Sequence, residues 1–70
     1  MARRYEIRVA GTLNKATVDA FAGCEVAFSE GQTAIVGDFD QAALHGMLER
    51  IRTLGLELVD VRQVRGRRPR

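Results

Sequence analysis

The order of hydrophobic periodicities constrains the fold of this chain more than any other feature. Across residues 4–64, apolar side chains recur at every second position in some short segments and at steps of three or four positions in others. The first spacing is typical of a strand with one buried face, and the second is typical of an amphipathic helix. The segments follow one another as strand, helix, strand, strand, helix, strand.

Four segments are predicted to be strands: residues 4–10, 24–29, 33–38 and 56–64. In the first of them, charged residues alternate with Tyr5, Ile7 and Val9, so one face is apolar and the other polar. In the third, Ile35 and Val36 are both apolar, as is typical of a central strand. The sequence leaves open which of these two side chains faces the core.

Two segments are predicted to be helices, each with a polar residue at its start. Asn14 is expected to cap a short helix of about nine residues that ends at Gly23, and Asp40 is expected to cap a longer one. An apolar stripe runs along the longer helix, which is predicted to end at Gly55. A glycine inside a helix costs about 1 kcal/mol against alanine, so Gly46 predicts a close approach by the first helix. The stripe consists of Leu44, Met47, Leu48, Ile51 and Leu54.

This order of elements predicts an α+β fold of the ferredoxin-like βαββαβ type over residues 1–64. Right-handed crossovers would place both helices on one face of a four-stranded antiparallel sheet. Residues 65–70 are predicted to form a basic, disordered tail. The chain shows no linker or internal repeat, so a single domain is expected.

A sheet covered by helices on one side leaves its other face open. We expect this face, or an edge strand, to form a homodimer, because so small a core gains stability from association. The alternative is a monomer whose open face is solvated and held by salt bridges. The candidate residues for an interface or a ligand are Arg4, Glu6, Arg8, Leu58, Asp60 and Arg62.

The basic character of the chain is confined to its end. Residues 1–64 contain seven Lys or Arg and nine Asp or Glu, a net charge of −2, whereas residues 65–70 contain four Arg and no acid, a net charge of +4. A short basic segment attracts phosphate groups in a salt-dependent way. Nucleic-acid binding is therefore an alternative function, and its candidate residues are Arg65, Arg67, Arg68 and Arg70.

The residue types that carry most enzyme chemistry are scarce. A single cysteine, Cys24, and a single histidine, His45, exclude an internal disulfide and a typical structural zinc set. Glu49 follows His45 by one helical turn, but no nucleophile or second acid is placed beside them. We expect a non-catalytic protein without metal or cofactor. With no visible signal peptide or membrane span, the expected location is the cytoplasm.

Residues 40–62, from Asp40 to Arg62, resemble short stand-alone actinobacterial proteins of uncharacterised function. Small-molecule-sensing ACT domains are similar in length and order of elements. The first resemblance implies a small cytoplasmic αβ domain and no particular reaction. The small size, the half-covered sheet and the lack of a reactive constellation favour a module that self-associates and binds a protein partner or a small ligand, in a regulatory or accessory role.

Overall fold

The observed elements follow the predicted order. The structure, a computed structural model, describes residues 2–64. The predicted tail at 65–70 lies outside the described residues. The elements are β1 (Arg3–Ala10), α1 (Lys15–Asp19), β2 (Glu25–Ser29), β3 (Gln32–Phe39), α2 (Gln41–Thr53) and β4 (Leu58–Gln63).

The four strands form one antiparallel sheet in the order β2-β3-β1-β4. β1 lies opposite β3 on one side and β4 on the other, so that Ile7 faces both Ile35 and Val61. β2 and β4 form the two edges. This arrangement confirms the predicted α+β, ferredoxin-like fold, and it makes β1 and β3 the central strands.

The core lies between the sheet and the helices. Ile7 and Val9 of β1 and Ile35 of β3 are fully buried against apolar residues from α2. The ambiguity in β3 is thereby resolved, because Ile35 belongs to the core and Val36 lies on the opposite face of the strand. The buried core consists of Ile7, Val9, Phe21, Ile35, Phe39, Leu44 and Ile51.

Both predicted caps are present, but α1 is shorter than predicted. The Asn14 side chain accepts a hydrogen bond from the Thr17 amide at 2.9 Å, and Asp40 accepts one from the Ala43 amide at 2.7 Å. α1 ends at Asp19 because the next three amides bond to carbonyls only three residues earlier. This tighter turn directs the Phe21 side chain into the core, where it is almost fully buried.

The expected close approach of α1 to Gly46 is wrong. A Cβ atom built at Gly46 has no neighbour within 4 Å, and the residue is exposed. The link that is observed lies farther along α2, where the Arg50 guanidinium donates a hydrogen bond of 2.7 Å to the carbonyl of Ala20, the residue that follows α1. Gly46 therefore has no packing role among residues 2–64.

Candidate functional site

The open face of the sheet brings together five of the six residues that the sequence predicted for it. Glu6 lies opposite Arg62, and Arg8 lies opposite Asp60. Arg4 follows on the same face of β1, because alternate residues of a strand share a face. We call these five residues, Arg4, Glu6, Arg8, Asp60 and Arg62, the charged face.

Glu6 is the centre of the charged face. Its carboxylate accepts a hydrogen bond of 2.7 Å from the Arg8 Nε and lies 3.6 Å from the Arg62 guanidinium. The side chain is only 15% exposed. The hydrogen bond from Arg8, and then the positive charges of Arg8 and Arg62, hold the pKa of Glu6 below its ordinary value in spite of burial, which acts in the opposite direction.

Arg4 extends the ion-pair network across the sheet toward β2. Its guanidinium lies 3.3 Å from the Glu25 carboxylate and 3.4 Å from the Asp38 carboxylate. Small side chains, including Ala27 and Ala34, occupy the area beside Arg8 and line a shallow pocket of about 120 Å³. The charged face is thus a surface on which most charges already have a partner within the chain.

The prediction that Leu58 shares the face of Asp60 and Arg62 is wrong. The register between β1 and β4 shifts after Arg8, so that Val9 lies opposite Leu58 and Val59 is an extra residue. This β-bulge interrupts the alternation of side chains. Leu58 consequently lies on the helix side of the sheet, next to α2.

An apolar groove of about 400 Å³ runs between α2 and the start of β4. Leu48, Ile51, Leu56 and Leu58 supply its apolar wall. His45, Glu49 and Arg52, all from α2, complete its lining. The sequence placed Leu48 and Ile51 in the core stripe, and nothing in the periodicity indicated that the gap beside them stays open.

Three large exposed apolar side chains lie between the end of α2 and the start of β4, and one of them, Leu58, lines the groove. Among residues 2–64 the large exposed ones are Phe28, Leu54, Leu58 and Val59, between 42% and 52% exposed. Leu54 ends α2, and Leu58 and Val59 begin β4. Phe28 lies at the other edge of the sheet, on β2. We call Leu54, Leu58 and Val59 the apolar edge.

The single histidine and the single cysteine of the chain, His45 and Cys24, lie in different surroundings. Glu49 binds Arg52 at 3.2 Å, on the exposed surface of α2 beside His45. Burial raises the pKa of the Cys24 thiol, which makes it less reactive. Within residues 2–64, no group of three or more metal-binding side chains comes together.

None of the helices within residues 2–64 has the length and hydropathy needed to cross a membrane. A comparison with curated proteins and with solved structures returned no match. Residues 4–62, which include all of the charged face and the apolar edge, match a protein family that is defined only as a domain of unknown function. The chain therefore belongs to the DUF8691 family.

Proposed function

We propose that the chain is a small non-catalytic module that self-associates through the outer edge of β4 and acts as a regulatory or accessory protein. The observation that carries this proposal is the apolar edge, which adjoins an edge strand. Apolar surface contributes about 25 cal/mol per Å² when it is removed from water. An edge strand also offers backbone groups that a second strand can pair with.

The charged face is a poorer interface than the β4 edge. Covering it would remove water from Glu6, Arg4 and Arg8, whose charges are already compensated within the chain. The cost of desolvating paired charges often exceeds the attraction gained. Of the two surfaces considered from the sequence, the open face and an edge strand, the structure thus favours the edge strand.

Sedimentation equilibrium over a range of concentrations tests self-association. We expect an apparent mass that rises from 7.8 kDa toward twice that value as the concentration increases. Leu58→Ser should keep the chain monomeric, whereas Phe28→Ser, at the opposite edge, should associate like the unmodified chain. Circular dichroism should show that both variants are folded. A monomeric mass for the unmodified chain at all concentrations would refute the proposal.

The groove supports a second role, the binding of a small apolar carboxylate. Its volume of about 400 Å³ falls in the range of ligand pockets, which combine apolar walls with a few polar groups. The Arg52 guanidinium is 80% exposed, and only one of its nitrogens, Nη2, contacts Glu49, at 3.2 Å, which leaves other donors for a ligand carboxylate. Decanoate should raise the melting temperature, decanol should raise it less, and Arg52→Gln should remove the difference. No shift with decanoate would exclude this role.

Four further predictions from the sequence are also part of this proposal. They comprise the absence of catalysis, the actinobacterial origin, the likeness to ACT domains and the cytoplasmic location. Nucleic-acid binding also remains an alternative prediction, because its candidate residues, Arg65, Arg67, Arg68 and Arg70, lie outside the described part of the chain. Arg4 and Arg8, which would extend such a basic surface, are bound to carboxylates.

A further inference from the structure

We infer that two copies of this chain pair through β4 in a single register, with Val61 opposite Val61 and Asp60 opposite Arg62 of the second copy. The inference rests on the proposed self-association and adds the geometry of the partner. The resulting assembly is a continuous eight-stranded antiparallel sheet with a two-fold axis at Val61. The inference depends on which backbone amide and carbonyl groups of β4 point away from β1, and on the charges of its side chains.

The backbone of β4 alternates between its neighbour and the outside. The Val64 amide donates a hydrogen bond of 2.8 Å to the Arg4 carbonyl. In an antiparallel pair every second residue bonds to the same neighbour, so Arg62 and Asp60 also point their backbone groups toward β1. Val61 and Gln63 therefore present theirs at the outer edge, where an added strand would bond to them.

The side chains of β4 then select the register. A two-fold axis perpendicular to the sheet pairs each residue with one on the same face. Asp60 and Arg62 share the charged face, carry opposite charges and flank Val61 symmetrically. An axis at Val61 consequently creates two ion pairs, Asp60 with Arg62 of the second copy and the reverse.

The neighbouring registers bring like charges together. An axis at Asp60 places this carboxylate directly opposite its own copy, and an axis at Arg62 does the same for the guanidinium. Like charges directly opposite one another in a sheet are destabilising, whereas opposite charges contribute roughly 0.2–1 kcal/mol per pair. The segment Asp60–Arg62 is thus self-complementary in charge only around Val61.

The two ion pairs also continue the pattern of the charged face. Arg62 lies opposite Glu6 within its own chain and is still 58% exposed, so its guanidinium can also donate to a second carboxylate. Asp60 lies opposite Arg8 within its own chain. Across the new contact the order becomes Glu6, Arg62, then Asp60 and Arg8 of the second copy, so the charges alternate in sign.

The helices leave room for this pairing. α2 joins β3 to β4, and β1 lies between these strands, so we place α2 over β1 in the assembly. Its copy would lie about three strand spacings away, or about 14 Å. Packed helices approach to about 8–10 Å, so the two copies of α2 do not collide.

A charge exchange between copies tests the register. In a dimer of Arg62→Asp alone, two acidic side chains lie opposite each other on both sides of the two-fold axis. In a dimer of Asp60→Arg alone, two arginines lie opposite each other at the same positions. We expect each variant alone to sediment as a monomer and an equimolar mixture to form a heterodimer, because opposite charges then face each other at both positions. Since each substitution also disturbs Glu6 or Arg8 in its own chain, recovery on mixing is the decisive result.

Cysteine cross-linking provides an independent measurement if a charge variant fails to fold. In a Cys24→Ser background, Val61→Cys should form an intermolecular disulfide readily, since directly opposite Cα atoms lie about 5.5 Å apart. Gln63→Cys should not, because the two copies of residue 63 would be separated along the strands.

The outcomes separate the two proposals. A monomeric unmodified chain refutes self-association itself. A dimeric unmodified chain whose charge variants fail to recover on mixing, or which cross-links at residue 63 and not at residue 61, refutes the register and leaves self-association standing.

Discussion

Gly46→Ala is expected to stabilise the protein, although it lies in the longest helix and touches no other element. Glycine inside a helix costs about 0.8–1.0 kcal/mol relative to alanine. A Cβ atom at this position meets nothing within 4 Å, so the gain is not reduced by a clash. The expected increase in the free energy of unfolding is therefore about 1 kcal/mol.

Urea unfolding followed by circular dichroism measures this gain. The midpoint should rise with no change in slope, because the surface exposed on unfolding is nearly the same. For a domain of this size, 1 kcal/mol corresponds to a rise in melting temperature of about 4–8 °C. Both measurements need several protein concentrations, since self-association adds to the apparent stability.

Gly37→Ala is the matched control. A Cβ atom there would lie 3.1 Å from the Cys24 Sγ and 3.1 Å from the Phe39 ring, so these neighbours must shift and the same substitution should not give the gain expected at Gly46. If Gly46→Ala leaves the free energy of unfolding unchanged or lowers it at every concentration, the reasoning is refuted.

Three further predictions concern separate parts of the chain. Glu30 has a φ of 51° in the β2–β3 turn, a left-handed conformation that asparagine tolerates better than glutamate. Glu30→Asn should therefore raise the free energy of unfolding, measured in urea titrations, by about 0.5–1 kcal/mol. No gain would argue against strain at this turn. Because the pKa of Glu6 is lowered in the folded state, its stabilising effect is present above the unfolded pKa and is lost as the pH falls through the folded pKa. The stability of Glu6→Gln, measured in urea between neutral and acidic pH, should accordingly decline less steeply on acidification, and an unchanged slope would contradict the role of Arg8. If nucleic-acid binding is the function, affinity for mixed-sequence RNA should fall steeply with salt and vanish on deletion of residues 65–70, and equal binding by the shortened chain would exclude that role.

The local features of this protein could be predicted from the sequence because they depend on residues close together in the chain. The Asn14 and Asp40 caps each need only an amide three residues later. The alternation of Ile7 and Val9 with charged residues identifies the buried face of β1 without reference to any other strand. The order of six such elements was sufficient for the fold class and for five residues of the charged face.

The tertiary structure decided what depends on distances between elements. The bulge at Val59 arises in the pairing of β4 with β1, and it moved Leu58 from the charged face to the groove. The open space beside Gly46 depends on how the rest of the chain packs around α2 and not on the sequence of α2 itself. A periodicity records which face of an element is apolar, but only the packed chain shows how much of that face is covered. The apolar edge at β4 is therefore a property of the assembled fold.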